Sequence, residues 1–380
     1  MAGLYLHVPF CQAICSYCNF TRGLLDEALK RQYVAALAAD LRRHAEPLPI
    51  ETIYLGGGTP SLLTAAELAE VLTACRDSFS VAADAEVTVE CNPESVSAAS
   101  LAGYRAAGVT RLSFGAQSFR PEELARLGRL HGPDRPAEAV ALARAAGFDN
   151  VSLDLMLWLP EQTPAHARES VDRLIAIGPE HASLYLLEIY PNAPLREAMA
   201  RSGWSVAPDD AAADMYLEAM AALDAAGYRQ YEISNVCRPG RESRHNLTYW
   251  RDGDWLAFGS GAHGARGDVR WRVVAGTGEY IARVRDGASA VAERWPRDAD
   301  ARLEEALFMG LRLTDGLDLA TIQARYGVDV WARYGARLAP LERAGHLVHE
   351  PARRIRLTRQ GMLVANEAMS IFLDRENRVE

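Results

Sequence analysis

Three cysteines fall within eight residues of one stretch, His7-Val8-Pro9-Phe10-Cys11-Gln12-Ala13-Ile14-Cys15-Ser16-Tyr17-Cys18-Asn19-Phe20, with the spacing C-x3-C-x2-C. Disulfides use cysteines in pairs, so an odd number at this spacing indicates a metal or cluster site. A structural zinc site normally has four ligands, which makes zinc an alternative if His7 is the fourth. Three thiolates on one loop fit a [4Fe–4S] cluster better, and they leave its fourth iron open to a cofactor or substrate.

The composition is that of a soluble globular protein. The chain has 380 residues, of which 49% are hydrophobic and 24% charged, enough for one large domain and a small one. A nucleic-acid-binding protein would show a basic excess, whereas the formal net charge here is -9. We therefore expect no nucleic-acid partner.

The remaining sequence features predict a cytoplasmic protein. Three further cysteines, at positions 75, 91 and 237, are scattered and do not form a disulfide framework. No basic segment typical of a signal peptide precedes Cys11, and no apolar run reaches the length of a membrane span. A reducing compartment would also suit an iron–sulfur cluster.

Strand and helix patterns alternate six times up to about residue 235. The predicted strands are 3–8, 52–55, 86–90, 111–114, 150–155 and 183–187, and the helices are 26–43, 64–78, 95–107, 121–127, 136–145, 164–177 and 209–226. This order predicts a parallel sheet in an α/β fold. Six units rather than eight predict an incomplete (β/α)6 TIM-like barrel, with its chemistry at the carboxyl ends of the strands.

The rest of the chain divides into two further predicted segments, which gives domains at 1–235, 236–296 and 297–380. Residues 232–267 are rich in Gly, Asn, His and aromatic residues and show no helical period. After residue 297, helices at 299–313, 319–326, 330–344 and 359–373 surround a hairpin of 347–349 and 355–357, which predicts a small winged-helix-like α+β module. This module has thirteen Arg, no Lys and thirteen Asp plus Glu, so we expect it to bind a partner or to pack rather than to bind nucleic acid.

Polar or glycine-rich residues follow four of the predicted strands. Gly56-Gly57-Gly58 ends the second strand, where backbone can approach a ligand closely. Glu90 ends the third strand and could accept hydrogen bonds from hydroxyl groups, or could be a surface charge. Asp154 lies inside an apolar strand, where a charge is costly unless it is paired or binds a ligand. Gln117 follows the fourth strand, and Arg129 could pair with a ligand carboxylate.

The cysteine stretch resembles the signature of the radical S-adenosylmethionine (SAM) superfamily, with an aromatic residue, Tyr17, before the third cysteine. Further motifs are similar to one branch of it, the oxygen-independent coproporphyrinogen III oxidase-like family, and in particular to its haem chaperone members of the HemW type. These motifs cover essentially the whole chain and are Tyr5–Cys11, Gly56–Pro60, Glu90–Pro93, Ser113–Phe119, Leu127–Arg129, Asp154–Thr163, Tyr231–Ser234 and Arg244–Trp250. The resemblance implies a cluster held by Cys11, Cys15 and Cys18, and SAM on its open iron. It also implies that SAM contacts Tyr5, Gly57, Gly58, Glu90, Gln117, Arg129 and Asp154.

Two positions distinguish the branches of this family. The oxidases carry a fourth cysteine where this chain has Phe20, whereas HemW-like members carry an H-N-x-x-Y-W motif, present here as His245, Asn246, Tyr249 and Trp250. A histidine among aromatic residues is a reasonable haem site, although a structural His–Asn turn is the alternative. His263, beside a Gly-rich loop, is a second candidate for the haem ligand.

The resemblance implies a cytoplasmic haem chaperone that transfers haem to an unidentified acceptor protein, with a peripheral membrane contact through that acceptor. The alternative is an enzyme similar to coproporphyrinogen III dehydrogenase, which would need an electron donor to cleave SAM to a 5'-deoxyadenosyl radical. A winged-helix regulator with a redox cluster is a third class, disfavoured by the acidic charge. The chain departs from the family at Trp158, where members usually have Gly, so a cavity of unusual shape is expected.

Overall fold

A computed structural model describes residues 2–373 of the chain. Its first part alternates strands with helices, as the sequence predicts. In chain order these elements are β1 (Ala2–Val8), β2 (Phe10–Cys11), β3 (Gly23–Leu24), α1 (Glu27–Arg43), β4 (Pro49–Gly57), α2 (Ala65–Ser78), β5 (Ser80–Cys91), α3 (Ala98–Ala107), β6 (Arg111–Gln117), α4 (Pro121–Leu127), α5 (Arg135–Ala145), β7 (Val151–Leu157), α6 (Pro164–Ile177), β8 (His181–Leu186), α7 (Pro194–Ser202) and α8 (Asp209–Ala225).

Six of these strands form the parallel sheet of an incomplete barrel, in the order β1-β4-β5-β6-β7-β8. Each neighbouring pair is parallel and sequential, so a helix crosses from one strand to the next on the outer face. The predicted fold class is thereby confirmed. All six carboxyl ends meet at one edge of the sheet, which we call the mouth; the opposite end is the floor.

Local sequence signals start α1 and α2 where they were expected, whereas the helix predicted at 95–107 begins at Ala98, after the cap Ser97. Asp26 caps α1 by accepting hydrogen bonds from the backbone of Ala28 and Leu29. Thr64 and Glu67 form a capping box at the start of α2. These caps satisfy backbone donors that have no partner within the helix.

The next segment extends the same sheet at both edges. Its elements are β9 (Arg229–Gln230), β10 (Asn235–Cys237), α9 (Arg244–Trp250), β11 (Asp254–Phe258), β12 (His263–Arg266), β13 (Val269–Val273), α10 (Thr277–Arg285) and β14 (Val291–Pro296). Strand β11 runs parallel beside β1, and β12 to β14 continue from it as antiparallel strands. On the other edge, β10 pairs antiparallel with β8.

The expectation of no helix within residues 232–267 was wrong. Helix α9 carries the H-N-x-x-Y-W motif, and Ser243 caps it by accepting from the backbone of Asn246. With seven residues the helix makes about two turns, too few to show a 3.6-residue apolar period.

The last segment is a winged-helix-like module of α11 (Ala299–Gly310), β15 (Leu317–Asp318), α12 (Leu319–Tyr326), α13 (Val330–Arg343), β16 (Leu347–Glu350), β17 (Arg354–Leu357), α14 (Arg359–Met362) and α15 (Ala365–Ser370). Its strands form a small sheet in the order β15-β17-β16. The predicted closing helix 359–373 is in fact two short helices, because the backbone leaves helical geometry at Val364. Residues 374–380, the end of the predicted third domain, lie outside the described residues.

The two faces of the barrel strands differ in chemistry. Outward side chains such as Leu4, Leu55 and Leu153 are fully buried against the helices and form the main apolar core. Inward positions alternate with them and are polar on most strands: Tyr5 and His7, Thr52 and Tyr54, Thr88 and Glu90, Arg111 and Ser113, Ser152 and Asp154, His181 and Ser183. Apolar burial on the outside therefore stabilises the sheet, and the interior is free to hold polar groups. Among residues 2–373, no helix is long and apolar enough to cross a membrane.

Candidate functional site

A cavity of about 420 Å³ opens at the mouth of the barrel. The ends of several strands and the cysteine loop form its wall, as expected for a fold that places ligands at the carboxyl edge of a parallel sheet. We call it the mouth cavity. Its lining includes Cys11, Cys15, Cys18, Arg22, Gly57, Gly58, Glu90, Asn92, Gln117, Arg129, Asp154, Met156 and Tyr185.

The cysteine loop is anchored at both ends and in its middle. Parallel pairing of β2 with β3 closes the loop, and the backbone of Leu25 donates to the Cys11 carbonyl at 2.9 Å. In the middle, the Ser16 backbone and hydroxyl donate to the carbonyls of Leu127 and Arg126 at 3.0 and 2.8 Å. The loop is therefore held against the segment that follows β6.

The three thiols fit a cluster better than a single ion. All are free and all line the mouth cavity, yet within the described chain no three Cys, His, Asp or Glu side chains converge on a point that could hold one metal ion. A four-iron cluster is larger and takes one thiolate on each of three irons, so it does not require such convergence. Burial raises the pKa of Cys11 and of Cys18.

His7 does not complete a zinc site with these thiols. Its Nε2 donates to the Thr21 carbonyl at 2.7 Å, and its Nδ1 accepts from the Tyr5 hydroxyl at 3.0 Å. Both ring nitrogens are thus used inside the protein. The geometry favours the cluster over the zinc alternative.

Gly56-Gly57-Gly58, which we call the glycine edge, lies beside Glu90. The Tyr54 hydroxyl donates to Glu90 Oε1 at 2.7 Å, and the Gly57 backbone donates to Oε2 at 3.1 Å. Gly57 has φ of +112°, and a Cβ there would come within 2.4 Å of the His7 ring, so glycine is required. Burial raises the pKa of Glu90 to about 7, although both hydrogen bonds oppose the shift.

Asp154 and Gln117 face the same cavity from the next strands. The Ser113 hydroxyl donates to Asp154 Oδ1 at 3.3 Å, and burial raises the pKa of this carboxyl group. Gln117 has φ of +65°, a left-handed conformation that is uncommon for a residue with a side chain. The ladder between β6 and β7 is irregular just before it, and this turns Gln117 toward the cavity.

Arg129 connects this group to the cysteine loop. Its Nη2 donates to Asn92 Oδ1 at 2.8 Å and to the Gly115 carbonyl at 2.7 Å, and its Nη1 lies 3.4 Å from Cys15 Sγ. The structure thus brings together six of the seven residues expected at the SAM site. The seventh, Tyr5, does not line the cavity; its hydroxyl bonds to His7 and its ring stacks on Tyr54.

The H-N-x-x-Y-W motif lies at the floor. His245 is 1% exposed, with Nδ1 2.7 Å from Thr52 Oγ1 and Nε2 2.7 Å from the Tyr249 hydroxyl. Burial, together with the charge of Arg111, lowers its pKa to about 3, so the ring is neutral. A neutral imidazole has one donor and one acceptor, and both are used here. This geometry does not support His245 as an axial ligand for haem.

The other motif residues lie outside the mouth cavity. Tyr249 packs edge-on against His245 and Trp255, and Trp250 lines a separate crevice of about 680 Å³ against the C-terminal module. His263 is exposed on β12, near Trp295. A haem role for His245, Asn246, Tyr249 or Trp250 stays a prediction.

Trp158 does not obstruct the mouth cavity. It adopts φ of +62°, and its indole Nε1 donates to the Ala207 carbonyl at 2.6 Å. The side chain is thus held away from the residues that line the cavity. Trp158 is not among the residues that line the cavity, and the unusual cavity shape expected from this substitution stays a prediction.

Large apolar side chains are exposed around the mouth. Phe20 and Leu24 are the most exposed, at 62% and 64%. Within residues 2–373, the exposed large hydrophobic side chains lie either after the carboxyl ends of β1 and β6 or in the last two residues of β8, and we call them the apolar rim: Ile14, Phe20, Leu24, Leu130, Tyr185 and Leu186. Such a grouping is typical of an interaction surface.

Sequence reasoning missed several residues of the site. Asn92 orients Arg129, Ser113 donates to Asp154, and Tyr54 holds Glu90. Ser113 has the same inward parity as Gln117 on β6, and Tyr54 has the same inward parity as Thr52 on β4, so strand alternation is the sequence signal that could have identified them.

Comparisons with known proteins agree with this arrangement. The family model of the radical SAM superfamily matches residues 5–174, and that of the HemN C-terminal domain matches residues 298–364. Heme chaperone HemW of Bacillus subtilis is 34% identical over 98% of this chain and 99% of its own length. Heme chaperone HemW of Mycobacterium tuberculosis is 41% identical over 85% and 84%. The solved structure of coproporphyrinogen III oxidase (HemN) from Escherichia coli, a radical SAM enzyme, covers 98% of this chain and 89% of its own, with a TM-score of 0.85 and 22% identity. That structural likeness shows the fold.

Proposed function

Because this chain belongs to the family of the heme chaperone HemW, within the radical SAM superfamily, we propose that it binds a SAM-coordinated [4Fe–4S] cluster and haem and transfers the haem to an acceptor protein. The observation that carries the proposal is the mouth cavity, where three free thiols, a glycine edge and two buried carboxyl groups face one another. We further propose that the protein acts in the cytoplasm and that the chain divides into domains at 1–235, 236–296 and 297–380.

Cys11, Cys15 and Cys18 would hold the cluster, which would supply an electron-transfer centre and one iron without a protein ligand, where SAM would bind. The chain's own contribution is to fix the three thiols on a loop tied to β3 and to the segment after β6. Arg129 adds a positive charge beside Cys15, which offsets part of the thiolate charge.

Glu90, Asp154, Gln117 and the glycine edge would orient SAM. Two carboxyl groups offer acceptors for hydroxyl or amino groups, and Gly57 and Gly58 let a ligand approach the backbone. Tyr5 would not contact SAM itself; it would hold Tyr54 by ring stacking and His7 by a hydrogen bond.

We place the haem on the apolar rim rather than at His245. A chaperone must hand over its cargo, so the porphyrin has to stay accessible to a second protein. Exposed aromatic and aliphatic side chains such as Phe20, Tyr185 and Leu24 can cover one face of a flat macrocycle and leave the other free. Arg22 lines the cavity beside them and could pair with a propionate.

A radical SAM enzyme similar to coproporphyrinogen III oxidase is the second candidate. It is favoured by the same carboxyl groups, which would position SAM in either protein, and it requires an electron donor. It is disfavoured by Phe20, which stands where the oxidases carry a fourth cysteine. In both proteins the cofactor carries the difficult chemistry and the chain positions it.

One preparation tests both functions. The protein is purified anaerobically, reconstituted with iron and sulfide, titrated with haem while the Soret band is followed, and assayed for decarboxylation of coproporphyrinogen III. We expect saturable haem binding and no decarboxylation. Turnover of coproporphyrinogen, or absence of haem binding, would overturn the chaperone proposal.

A rim variant locates the haem. Replacement of Phe20 and Leu24 together by Ser should weaken haem binding about ten-fold or more, since each removes the contact area of a large apolar side chain. The conservative pair Phe20→Tyr and Leu24→Met is the control and should bind as wild type does. Equal affinities in all three proteins would move the haem away from the rim.

A further inference from the structure

Arg111 is a buried cation without a close counter-ion among the described residues. It is the first residue of β6, its side chain is among the largest that are fully buried, and its residue exposure is 2%. Its Nε has no hydrogen-bond partner, and within the described chain no carboxylate lies within 4 Å of its guanidinium. Burying a charge in this way costs free energy, so its presence calls for a structural or functional explanation.

The position of Arg111 within the barrel supplies that explanation. Inward-facing residues alternate along a strand, so Arg111 points into the interior one step below Ser113. Ser113 in turn donates to Asp154, and strand β5 places Glu90 opposite Ser113. The guanidinium therefore lies between the floor and the two carboxyl groups of the mouth cavity.

The groups around Arg111 are polarised by its charge. Below it, burial and the Arg111 charge lower the pKa of both His181 and His245, so these histidines are neutral. Above it, burial raises the pKa of Asp154 and of Glu90, and the Arg111 charge opposes the rise in each case. The carboxyl groups themselves have hydroxyl and backbone donors but, among the residues described, no ion pair. Arg111 is the cation that acts on both carboxyl groups, and Arg129 also acts on Asp154.

We propose that Arg111 is a positioning residue that supplies the internal counter-charge for Asp154 and Glu90 and so keeps both ready to accept hydrogen bonds from SAM. It does not line the mouth cavity, and it acts through space in an interior of low dielectric. The inference rests on the proposed SAM site. Other groups face the carboxyl pair as well, and their charges are unchanged by the test: Tyr5 on β1, Tyr54 on β4, Ser183 and Tyr185 on β8, Tyr249 on α9, and Arg129.

The test is the pH dependence of SAM binding. Arg111→Gln keeps a polar side chain and removes the charge, which raises the pKa of the nearby carboxyl groups. In the reconstituted protein we expect the rise of SAM affinity with pH to move to higher pH. At a pH well below the pKa of a carboxyl group, SAM binding should become about ten-fold weaker for each tenfold fall in the acid dissociation constant of that group. Arg111→Lys keeps the charge and should retain most of the wild-type profile, and Arg111→Met serves as a second neutral variant if the Gln variant does not fold.

Infrared spectroscopy gives a readout without SAM. The protonated carboxyl stretch at neutral pH should be stronger in Arg111→Gln than in the wild type and should decrease when Glu90→Gln or Asp154→Asn is added. The matched control is Arg297→Gln, because Arg297 is also buried but pairs with Glu305 away from the barrel interior. An unshifted pH profile and infrared band in the Arg111 variants would overturn the inference, whereas wild-type protein that binds no SAM would instead overturn the proposed function.

Discussion

The mouth and the floor of the barrel both contain buried ionisable side chains, but these side chains have different roles at the two ends. At the mouth, Glu90 and Asp154 are held by neighbours but still face an open cavity. At the floor, His181 and His245 have both ring nitrogens hydrogen-bonded inside the protein. A polar residue with unused capacity can bind a ligand, and one whose groups are all paired stabilises the fold. The comparison leads us to propose that α9, whose His245 has both ring nitrogens hydrogen-bonded, closes the barrel, and the haem role predicted for this helix is tested below.

The largest expected effect is at the mouth. Cys11→Ala, Cys15→Ala or Cys18→Ala should each remove the cluster, because loss of one thiolate leaves an iron without a protein ligand. Iron and sulfide analysis after anaerobic reconstitution should fall sharply in all three. Cys75→Ala, Cys91→Ala and Cys237→Ala are controls, since these buried thiols lie outside the C-x3-C-x2-C stretch, and they should keep a full cluster. Cys75 and Cys237 are the more distant controls, because Cys91 also lines the mouth cavity. Zinc in place of iron in the wild type would contradict the assignment.

The next effect tests the floor. His245→Ala would leave Thr52 and the Tyr249 hydroxyl without their partner and open a void, so we expect a loss of about 2–4 kcal/mol in the free energy of unfolding. His263→Ala, on the exposed face of β12, should change it by no more than about 0.5 kcal/mol. Urea unfolding of the two variants measures both values. If His245→Ala were as stable as wild type but lost the Soret shift of bound haem, the floor would be a haem site after all.

The alternation of apolar strands and amphipathic helices was sufficient to predict the barrel. Helices 121–127 and 164–177 and the Thr64 cap were confirmed at the predicted residues, because a proline or a capping residue marks where each begins. Some strand ends were underestimated: the predicted 111–114 continues to Gln117. The polar mouth residues there interrupt the apolar pattern, although the backbone ladder goes on.

The floor could not be predicted, because it depends on contacts between distant residues. His245 meets Thr52 across 193 positions, and no local pattern indicates that α9 folds under the barrel. A histidine among aromatic residues is compatible both with a haem ligand and with a buried structural residue. Only the topology, which places α9 next to the amino ends of β1 and β4, distinguishes the two.

The third effect separates two glutamates on one strand. Glu86 and Glu90 both lie on β5, but Glu86 accepts from the backbone of Arg244 and His245 at the floor, at 3.1 and 3.0 Å. Glu90→Ala, like Asp154→Ala, should weaken SAM binding by about 1–3 kcal/mol with the cluster intact. Glu86→Gln should leave SAM affinity unchanged and lower stability instead, because it weakens the cap of α9. Calorimetry with SAM and urea unfolding, applied to all three variants, would show whether function and stability separate along the barrel axis.

The smallest effect concerns the ionisation of Glu90 at the mouth and its effect on the stability of the fold. Burial raises the pKa of Glu90 to about 7 in the folded protein, above its value in the unfolded chain. Stability from this group is therefore fully present below the unfolded pKa and is lost as pH rises through about 7. Glu90→Gln cannot ionise, so its stability relative to wild type should increase between pH 5 and pH 8. We expect a difference of about 1 kcal/mol, less than full linkage predicts, because the mouth cavity admits water. Urea unfolding of both proteins without cofactors at the two pH values measures it. A stability difference that did not change with pH would mean that ionisation of Glu90 does not destabilise the folded protein. The proposed contrast between the carboxyl groups at the mouth and the fully hydrogen-bonded histidines at the floor would then have no electrostatic support.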